Sequence, residues 1–123
     1  MAIIPLTTLN EGFSQYITWT PLANGDTGQP LENAGRYSDK TVQIFGTFGA
    51  GGSVTLEGSN DPRVMTAPGS AVWFALVDPA SSAITKTSAA GEAVLENPRF
   101  IRPNVTAGDG TTALTVIIAA KGQ

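Results

Sequence analysis

The side chains with the greatest chemical capacity in this 123-residue chain are carboxylates, because the sequence contains neither histidine nor cysteine. Histidine is the side chain best suited to proton transfer near neutral pH, and it is the commonest metal ligand. Cysteine would supply a thiolate nucleophile, a thiolate metal site or a disulfide. A serine triad and a thiol–imidazole pair are therefore excluded, which leaves paired carboxylates of the kind that hydrolyse glycosides.

The ten carboxylates are placed as turn formers rather than as catalysts. Nearly every aspartate stands beside Gly, Asn, Pro or Ser, and such neighbours are typical of turns. Oxygen ligands for calcium are present, but the spaced loop of an EF-hand is not. We predict no catalytic residue, no metal site and no cofactor, and we expect the protein not to be an enzyme. The oxygen-bearing residues considered for calcium are Asn24, Asp26, Asn60, Asp61 and Asp109.

Four aromatic residues suggest a second kind of site, a platform on which a sugar ring stacks: Trp19, Trp73, Tyr16 and Tyr37. Aromatic side chains in the strands of a small β-domain belong more often to the core or to an interface. We favour core or oligomer contacts for them, and we keep a carbohydrate-binding site as the alternative.

The composition is that of a single domain with a weakly charged surface. Charged residues make up 14% of the chain, against about 25% in ordinary domains. Seven basic and ten acidic residues give a net charge of −3, so the basic stripe that binds nucleic acid is missing. No apolar run reaches the roughly 20 residues of a membrane span, and the opening MAIIPLTTL lacks the features of a signal peptide. We expect no nucleic acid and no membrane as partners, and a cytoplasmic origin.

The clearest structural signal lies in the stretch 41–61. Val42 and Ile44 alternate with polar residues, which is the two-residue period of a strand with one buried face. Val54 and Leu56 alternate in the same way after the glycine-rich reversal GAGG. Two alternating runs around such a reversal predict a β-hairpin. The Ser-Asn-Asp-Pro phrase that follows is predicted to end it by capping local backbone donors.

Further short strands are predicted along the chain, separated by clusters of Gly, Pro, Asn and Asp. About seven or eight short antiparallel strands of this spacing favour an all-β fold, a single-domain β-sandwich or small barrel. The β domain is predicted over 13–123, and an extended N-terminal arm over 1–12. Additional strands are predicted at 13–20, where Phe13, Ile17 and Trp19 share one face, at 71–77, 83–87 and 99–105, and at 113–120, where Leu114, Val116 and Ile118 face inward. The segment 92–96 is predicted to be a strand or a helical turn, and 63–70 a loop.

The N-terminal arm is the first candidate for contact with another protein. Its apolar residues are poor choices for a surface that faces only water, so the arm is predicted to dock on a partner or a sister subunit. Arg99 and Arg102 flank an apolar pair just before Pro103, and they fit either a solvated strand face or pairing with acidic groups. The residues predicted to contact a protein are Ile3, Ile4, Leu6, Leu9, Trp73, Arg99 and Arg102.

Three phrases, taken together, connect the chain to a known family: ITWTPLANGDTGQP (17–30), TVQIFGTFGAGGSVTLEGSND (41–61) and RFIRPNVTAGDGTTALTVIIAAKG (99–122). They resemble the small β-rich head decoration, or cement, proteins of tailed bacteriophages. In that family the phrase GSND is expected to be followed closely by a tryptophan and a leucine. Here 62–72 intervenes before Trp73 and Leu76, so the resemblance implies an enlarged loop that alters the contact surface.

The resemblance implies a structural virion protein. A decoration protein binds the outer face of the shell formed by the major capsid protein and stabilises that shell, and it is made in the host cytoplasm. A homo-oligomer is also implied, either a dimer or a trimer, because decoration proteins typically sit on symmetry axes. The alternatives are a carbohydrate-binding module displayed on the virion and another structural head or tail component, such as a tail tube or head–tail joining subunit.

Overall fold

Two β-sheets pack face to face in the computed structural model, which describes residues 1–122. This confirms the predicted all-β sandwich, as two sheets rather than a closed barrel. Strands β2, β3, β5, β6, β9, β10 and β11 have four or more residues, and the other four have two each. The strands are, in chain order, β1 (Ile3–Ile4), β2 (Leu6–Glu11), β3 (Ser14–Leu22), β4 (Thr27–Gly28), β5 (Asp39–Thr47), β6 (Ser53–Ser59), β7 (Phe74–Ala75), β8 (Thr85–Lys86), β9 (Ala90–Ala93), β10 (Phe100–Ala107) and β11 (Ala113–Lys121).

The five-stranded sheet has the order β2-β3-β11-β5-β9, and the six-stranded sheet has the order β1-β4-β10-β6-β7 with β8 also on β6. Within residues 1–122, β1 with β4 is the one parallel pairing between these strands. The helical elements are short: α1 (Arg63–Thr66) and two 3-10 turns, Ala34–Arg36 and Pro68–Ser70. In the part of the chain that the structure describes, no helix has the length and apolar character needed to cross a bilayer.

The core lies between the sheets and is built from the inward-facing residues of the long strands. Ile17 and Trp19 of β3 are fully buried, as are Leu114, Val116 and Ile118 of β11. The alternation in the sequence predicted this inward face. The buried indole also has a polar partner, because its nitrogen donates a hydrogen bond of 2.9 Å to a backbone oxygen.

The predicted hairpin over 41–61 is wrong in its pairing. β5 pairs with β11 and β9, whereas β6 pairs with β10, β7 and β8. The two strands therefore lie in different sheets, and the glycine-rich run 49–52 arches from one sheet to the other. Alternation identifies the buried face of a strand but not the strand to which it hydrogen-bonds. Both strands turn apolar faces to one shared core, which gives the same sequence pattern as a hairpin.

The predicted core strand at 71–77 is also wrong. Leu76 is fully buried, but Val72 and Phe74 are 66% and 43% exposed. Only the two residues of β7 pair with β6. Part of this apolar run lines a groove on the surface, and periodicity alone does not reveal which surface a short apolar run covers. The loop predicted at 63–70 contains α1 and a 3-10 turn.

The N-terminal segment is extended, and within this chain it pairs with both sheets. β1 joins the six-stranded sheet beside β4, and β2 joins the five-stranded sheet beside β3. The carboxylate of Asp26 accepts hydrogen bonds from the backbone of Ala2 and Ala23, each of 2.9 Å, and so fixes the start of the chain. Gln123, the last residue of the predicted β domain, lies outside the described residues.

Asp109 anchors the arch that replaces the predicted hairpin turn. Its carboxylate accepts hydrogen bonds of 2.8 Å from the backbone of Ala50 and of Thr111, and one of 2.6 Å from the Thr111 hydroxyl. Gly49 has a φ of 75°, and a side chain there would collide with this carboxylate. These hydrogen bonds, led by the one from the Thr111 side chain, lower the pKa of Asp109 to about 2.

The anchor predicts a specific dependence of stability on pH. The pKa of Asp109 is lower in the folded state than its ordinary value of 3.8, so its contribution is complete above pH 4 and is lost as the pH falls through about 2. We expect Asp109→Asn to be less stable than the wild type at pH 7 in urea unfolding, and the difference to shrink at pH 2. Glu32→Gln, a change at an exposed loop carboxylate, is the control. A difference in stability between Asp109→Asn and the wild type that does not change with pH would contradict the anchoring role of Asp109.

Candidate interaction surfaces

Three of the predicted contact residues, Ile3, Trp73 and Arg102, line one groove of about 480 Å³ on the six-stranded sheet. We call this the tryptophan groove. Its walls come from the N-terminal segment on one side and from the enlarged loop on the other. The residues that line it also include Met1, Gly25, Thr27, Gly28, Pro30, Val64, Pro68, Gly69, Ala71 and Asn104.

Arg102 holds Trp73 in place in this groove. The guanidinium carbon lies 4.0 Å from the centroid of the indole ring, which is the geometry of a cation–π contact. The same side chain donates a hydrogen bond of 3.0 Å to Glu57, and Asn104 donates one of 3.2 Å to the other oxygen of that carboxylate. Arg102 therefore already has an acidic partner within its own chain, and one face of the indole is covered.

The enlarged loop is fixed at both of its ends by the Ser-Asn-Asp phrase before it. The Asp61 carboxylate accepts hydrogen bonds from the backbone of Arg63 at 2.9 Å and of Val72 at 3.0 Å, and from the Arg63 guanidinium at 2.8 Å. The Ser59 hydroxyl donates to the backbone oxygen of Val72 at 2.7 Å. The hydrogen bond from the Arg63 side chain is the main cause that holds the pKa of Asp61 well below its ordinary value. The prediction that this phrase caps backbone donors is confirmed.

The other predicted contact residues lie elsewhere. Ile4 and Leu6 are half-buried and pack against the core. Arg99 lies on the ring of its neighbour Phe100, 4.9 Å from the centroid, and does not reach the tryptophan groove. Leu9 is 59% exposed, and it lies on the outer face of the five-stranded sheet. The seven residues therefore do not form one contact surface.

The outer face of the five-stranded sheet is a second surface, and sequence reasoning missed it. The strand registers place its residues in rows across the sheet. Charged residues are confined to one terminal row, which contains Glu11, Lys121 and Asp39. We call the rest the neutral face: the row Leu9, Tyr16, Ala119, Thr41, Ala93; the row Thr7, Thr18, Ile117, Gln43, Gly91; and the residues Thr20, Thr115 and Phe45.

The neutral face exposes large apolar side chains among hydroxyls and amides. Leu9, Tyr16 and Phe45 are 59%, 37% and 39% exposed. A depression of about 460 Å³ opens beside Tyr16 and Ile117, and its lining includes Glu92, which forms an ion pair with Lys86. Surfaces of this kind, aromatic and low in charge, are typical of the centre of a protein–protein interface. The signal is present in the sequence as outward-facing residues without charge, whereas alternation by itself identifies only the buried face of a strand.

The four aromatic residues do not form a single sugar platform. Trp19 is fully buried, and the Tyr37 hydroxyl donates a hydrogen bond to Gln15. Tyr16 and Trp73 reach the surface on opposite sheets. Among residues 1–122, no three acidic side chains come together in a group that could hold a metal ion. Asp26, Asp61 and Asp109 instead hold turns, as predicted.

Comparisons with known proteins do not identify the chain. It matches no protein-family model, and it matches no curated protein. Among solved structures it is similar to the crystal structure of protein NMB1881 from Neisseria meningitidis, with 11% sequence identity and a TM-score of 0.42. That alignment covers 95% of this chain and 83% of the other. A similarity this weak supports no conclusion about either surface.

The geometry of the enlarged loop predicts that Asp61 positions Trp73. In a Trp19→Phe background, where Trp73 is the remaining indole, we expect Asp61→Ala to increase quenching of its fluorescence by acrylamide, because the loop end at Val72 is released. The control is Asp78→Ala, which removes a carboxylate that organises a separate turn at Ala80 and Ser82. Equal quenching in the two variants would contradict a positioning role for Asp61.

Proposed function

We propose that the protein is a structural virion protein, a capsid decoration protein that binds the outer face of the shell formed by the major capsid protein. The observation that carries this proposal is the neutral face, which makes up the outer surface of the five-stranded sheet apart from one terminal row of charged residues. The resemblance of three long phrases to phage head decoration proteins supports the same role. The tryptophan groove and the neutral face lie on opposite sheets, so we assign the shell contact to the neutral face alone.

A neutral sheet face suits adhesion to another protein for three physical reasons. Few charges have to be desolvated when it is covered, and burying unpaired charges is the costliest part of forming an interface. Tyr16 and Phe45 offer aromatic anchors, the residue type that dominates binding energy. The face is built on strands of a packed sandwich, so little ordering entropy is lost on binding.

A matched pair of threonine substitutions tests this assignment. Thr41 is exposed on β5 in the same row of the neutral face as Tyr16, and Thr87 is exposed in the bend between β8 and β9, outside the rows of that face. The binding assay measures occupancy on capsids assembled from the major capsid protein of the same genome. We expect Thr41→Lys to weaken binding at least about tenfold, equivalent to about 1.4 kcal/mol, because the charge that it introduces must be desolvated when the face is covered. Thr87→Lys should bind as the wild type does.

The results of this binding assay distinguish the choice of contact surface from the decoration role itself. Equal binding of Thr41→Lys and wild type would contradict the neutral face as the contact surface. A wild-type protein that leaves the capsids bare would contradict the decoration role itself. Rings or tubes formed by the purified protein would favour a tail tube or head–tail joining subunit instead.

A second candidate function, carbohydrate binding, is favoured by the tryptophan groove. Trp73 is half-buried beside Arg102 and Asn104, and sugar sites combine an aromatic surface with a few polar groups. A glycan array compares the wild type with Trp73→Ala. The decoration role predicts no glycan signal that depends on Trp73. Specific binding that disappears in Trp73→Ala, with unfolding unchanged, would favour the carbohydrate-binding module.

A further inference from the structure

β2 is the longest edge strand of the sandwich, and it lacks the features that protect sheet edges. It has six residues, whereas β1, β7 and β8 have two, and β9 has four with Gly91 and Glu92 among them. Natural edge strands are protected from pairing by shortness, proline, bulges or charge. β2 has the sequence LTTLNE, with its one charge at the last position. No strand in residues 1–122 pairs with its outer edge.

The hairpin between β2 and β3 determines which backbone groups point outward. Gly12 and Phe13 form a two-residue reversal, with Gly12 at a φ of 62°. The flanking pair in such a hairpin, Glu11 with Ser14, is hydrogen-bonded, and bonded and non-bonded pairs then alternate. Leu9 and Thr7, like Glu11, therefore form hydrogen bonds with β3. Thr8 and Asn10 lie between them and present their N–H and C=O groups at the free edge.

The first residue of β2 agrees with this alternation. The Leu6 N–H donates to the side-chain oxygen of Gln29 at 3.1 Å, on the side of the strand away from β3. Leu6 has the same parity as Thr8 and Asn10. The N–H and C=O groups of Thr8 and Asn10, four groups in total, therefore have no partner in residues 1–122.

We propose that two copies of the chain pair through β2, antiparallel across a two-fold axis at Leu9, so that their five-stranded sheets join into one sheet of ten strands. In this register Thr8 of each copy exchanges hydrogen bonds with Asn10 of the other. The two Leu9 side chains, each 59% exposed in a single copy, cover one another. This inference does not rest on the decoration role.

The choice of a second copy as the occupant follows from the self-complementarity of β2. A two-fold interface requires the same segment to serve as both surfaces. About Leu9, each Glu11 lies opposite Thr7, so the two carboxylates fall at opposite ends of the interface and do not repel each other across the strands. The axis is perpendicular to the sheet, so the neutral faces of the two copies lie side by side in one continuous surface. A dimer could then contact a partner through both copies at once.

The register can be read directly with single cysteines, because the chain has none of its own. Leu9 and its counterpart form a non-hydrogen-bonded pair, with Cα atoms about 4.5 Å apart, which is within the range of a disulfide. The two copies of residue 11 are four positions apart, about 14 Å, which is beyond the roughly 7 Å limit. Glu11→Cys is therefore a matched control on the same strand and the same face.

The first experiment oxidises the two full-length cysteine variants under dilute conditions and separates them on a non-reducing gel. We expect Leu9→Cys to become a covalent dimer and Glu11→Cys to remain monomeric. Equal cross-linking of the two variants, or none in either, would overturn the proposed register.

The second experiment measures association without a cross-link. Sedimentation of the wild type is expected to show a concentration-dependent dimer. Thr8→Pro removes an N–H that points to the free edge, and edge strands tolerate proline at such positions, so this variant should keep the wild-type circular dichroism spectrum and lose the dimer. A wild type that sediments as a monomer or a trimer would overturn the proposal, as would a Thr8→Pro variant that dimerises as the wild type does.

Discussion

The two-residue alternation of the long strands is the constraint on which the rest of the structure depends. Each strand turns one face to a shared core, where Trp19, Ile44 and Val116 are almost completely excluded from water. Burial of each large apolar side chain stabilises the fold by about 1.5–3 kcal/mol. A slip of one residue in any strand would turn its apolar face to solvent. The core constrains which residues stand on the inward face of every strand, but it does not constrain the residues on the outward faces.

The outward faces of the two sheets differ in the charged and apolar side chains that they carry. The six-stranded sheet carries the ion pair between Glu57 and Arg102, with the indole of Trp73 packed on the guanidinium. These two charged side chains are therefore paired within the chain. The five-stranded sheet keeps its charges in one terminal row and exposes aromatic and aliphatic side chains between hydroxyls. Its edge strand β2 also presents unpaired backbone groups in the plane of that face. Both features support the contacts with proteins that we propose.

The sequence predicted what depends on local chemistry and missed what depends on the partners of each strand. The inward residues of β3 and β11 followed from alternation, and the turn-forming aspartates followed from their neighbours. The hairpin at 41–61 failed because alternation is the same whether two strands pair with each other or face each other across a core. The predicted contact residues lie on separate surfaces for a related reason. Ile3 and Leu9 are six positions apart in the sequence, yet the N-terminal segment crosses from one sheet to the other between them.

The most direct test of the account is a cryo-electron-microscopy reconstruction of capsids mixed with the purified protein, compared with the same capsids alone. The account predicts added density on the outer surface of the shell, into which the sandwich fits with its five-stranded sheet against the capsid protein. Identical reconstructions, or added density in which the six-stranded sheet and Trp73 face the shell, would contradict it.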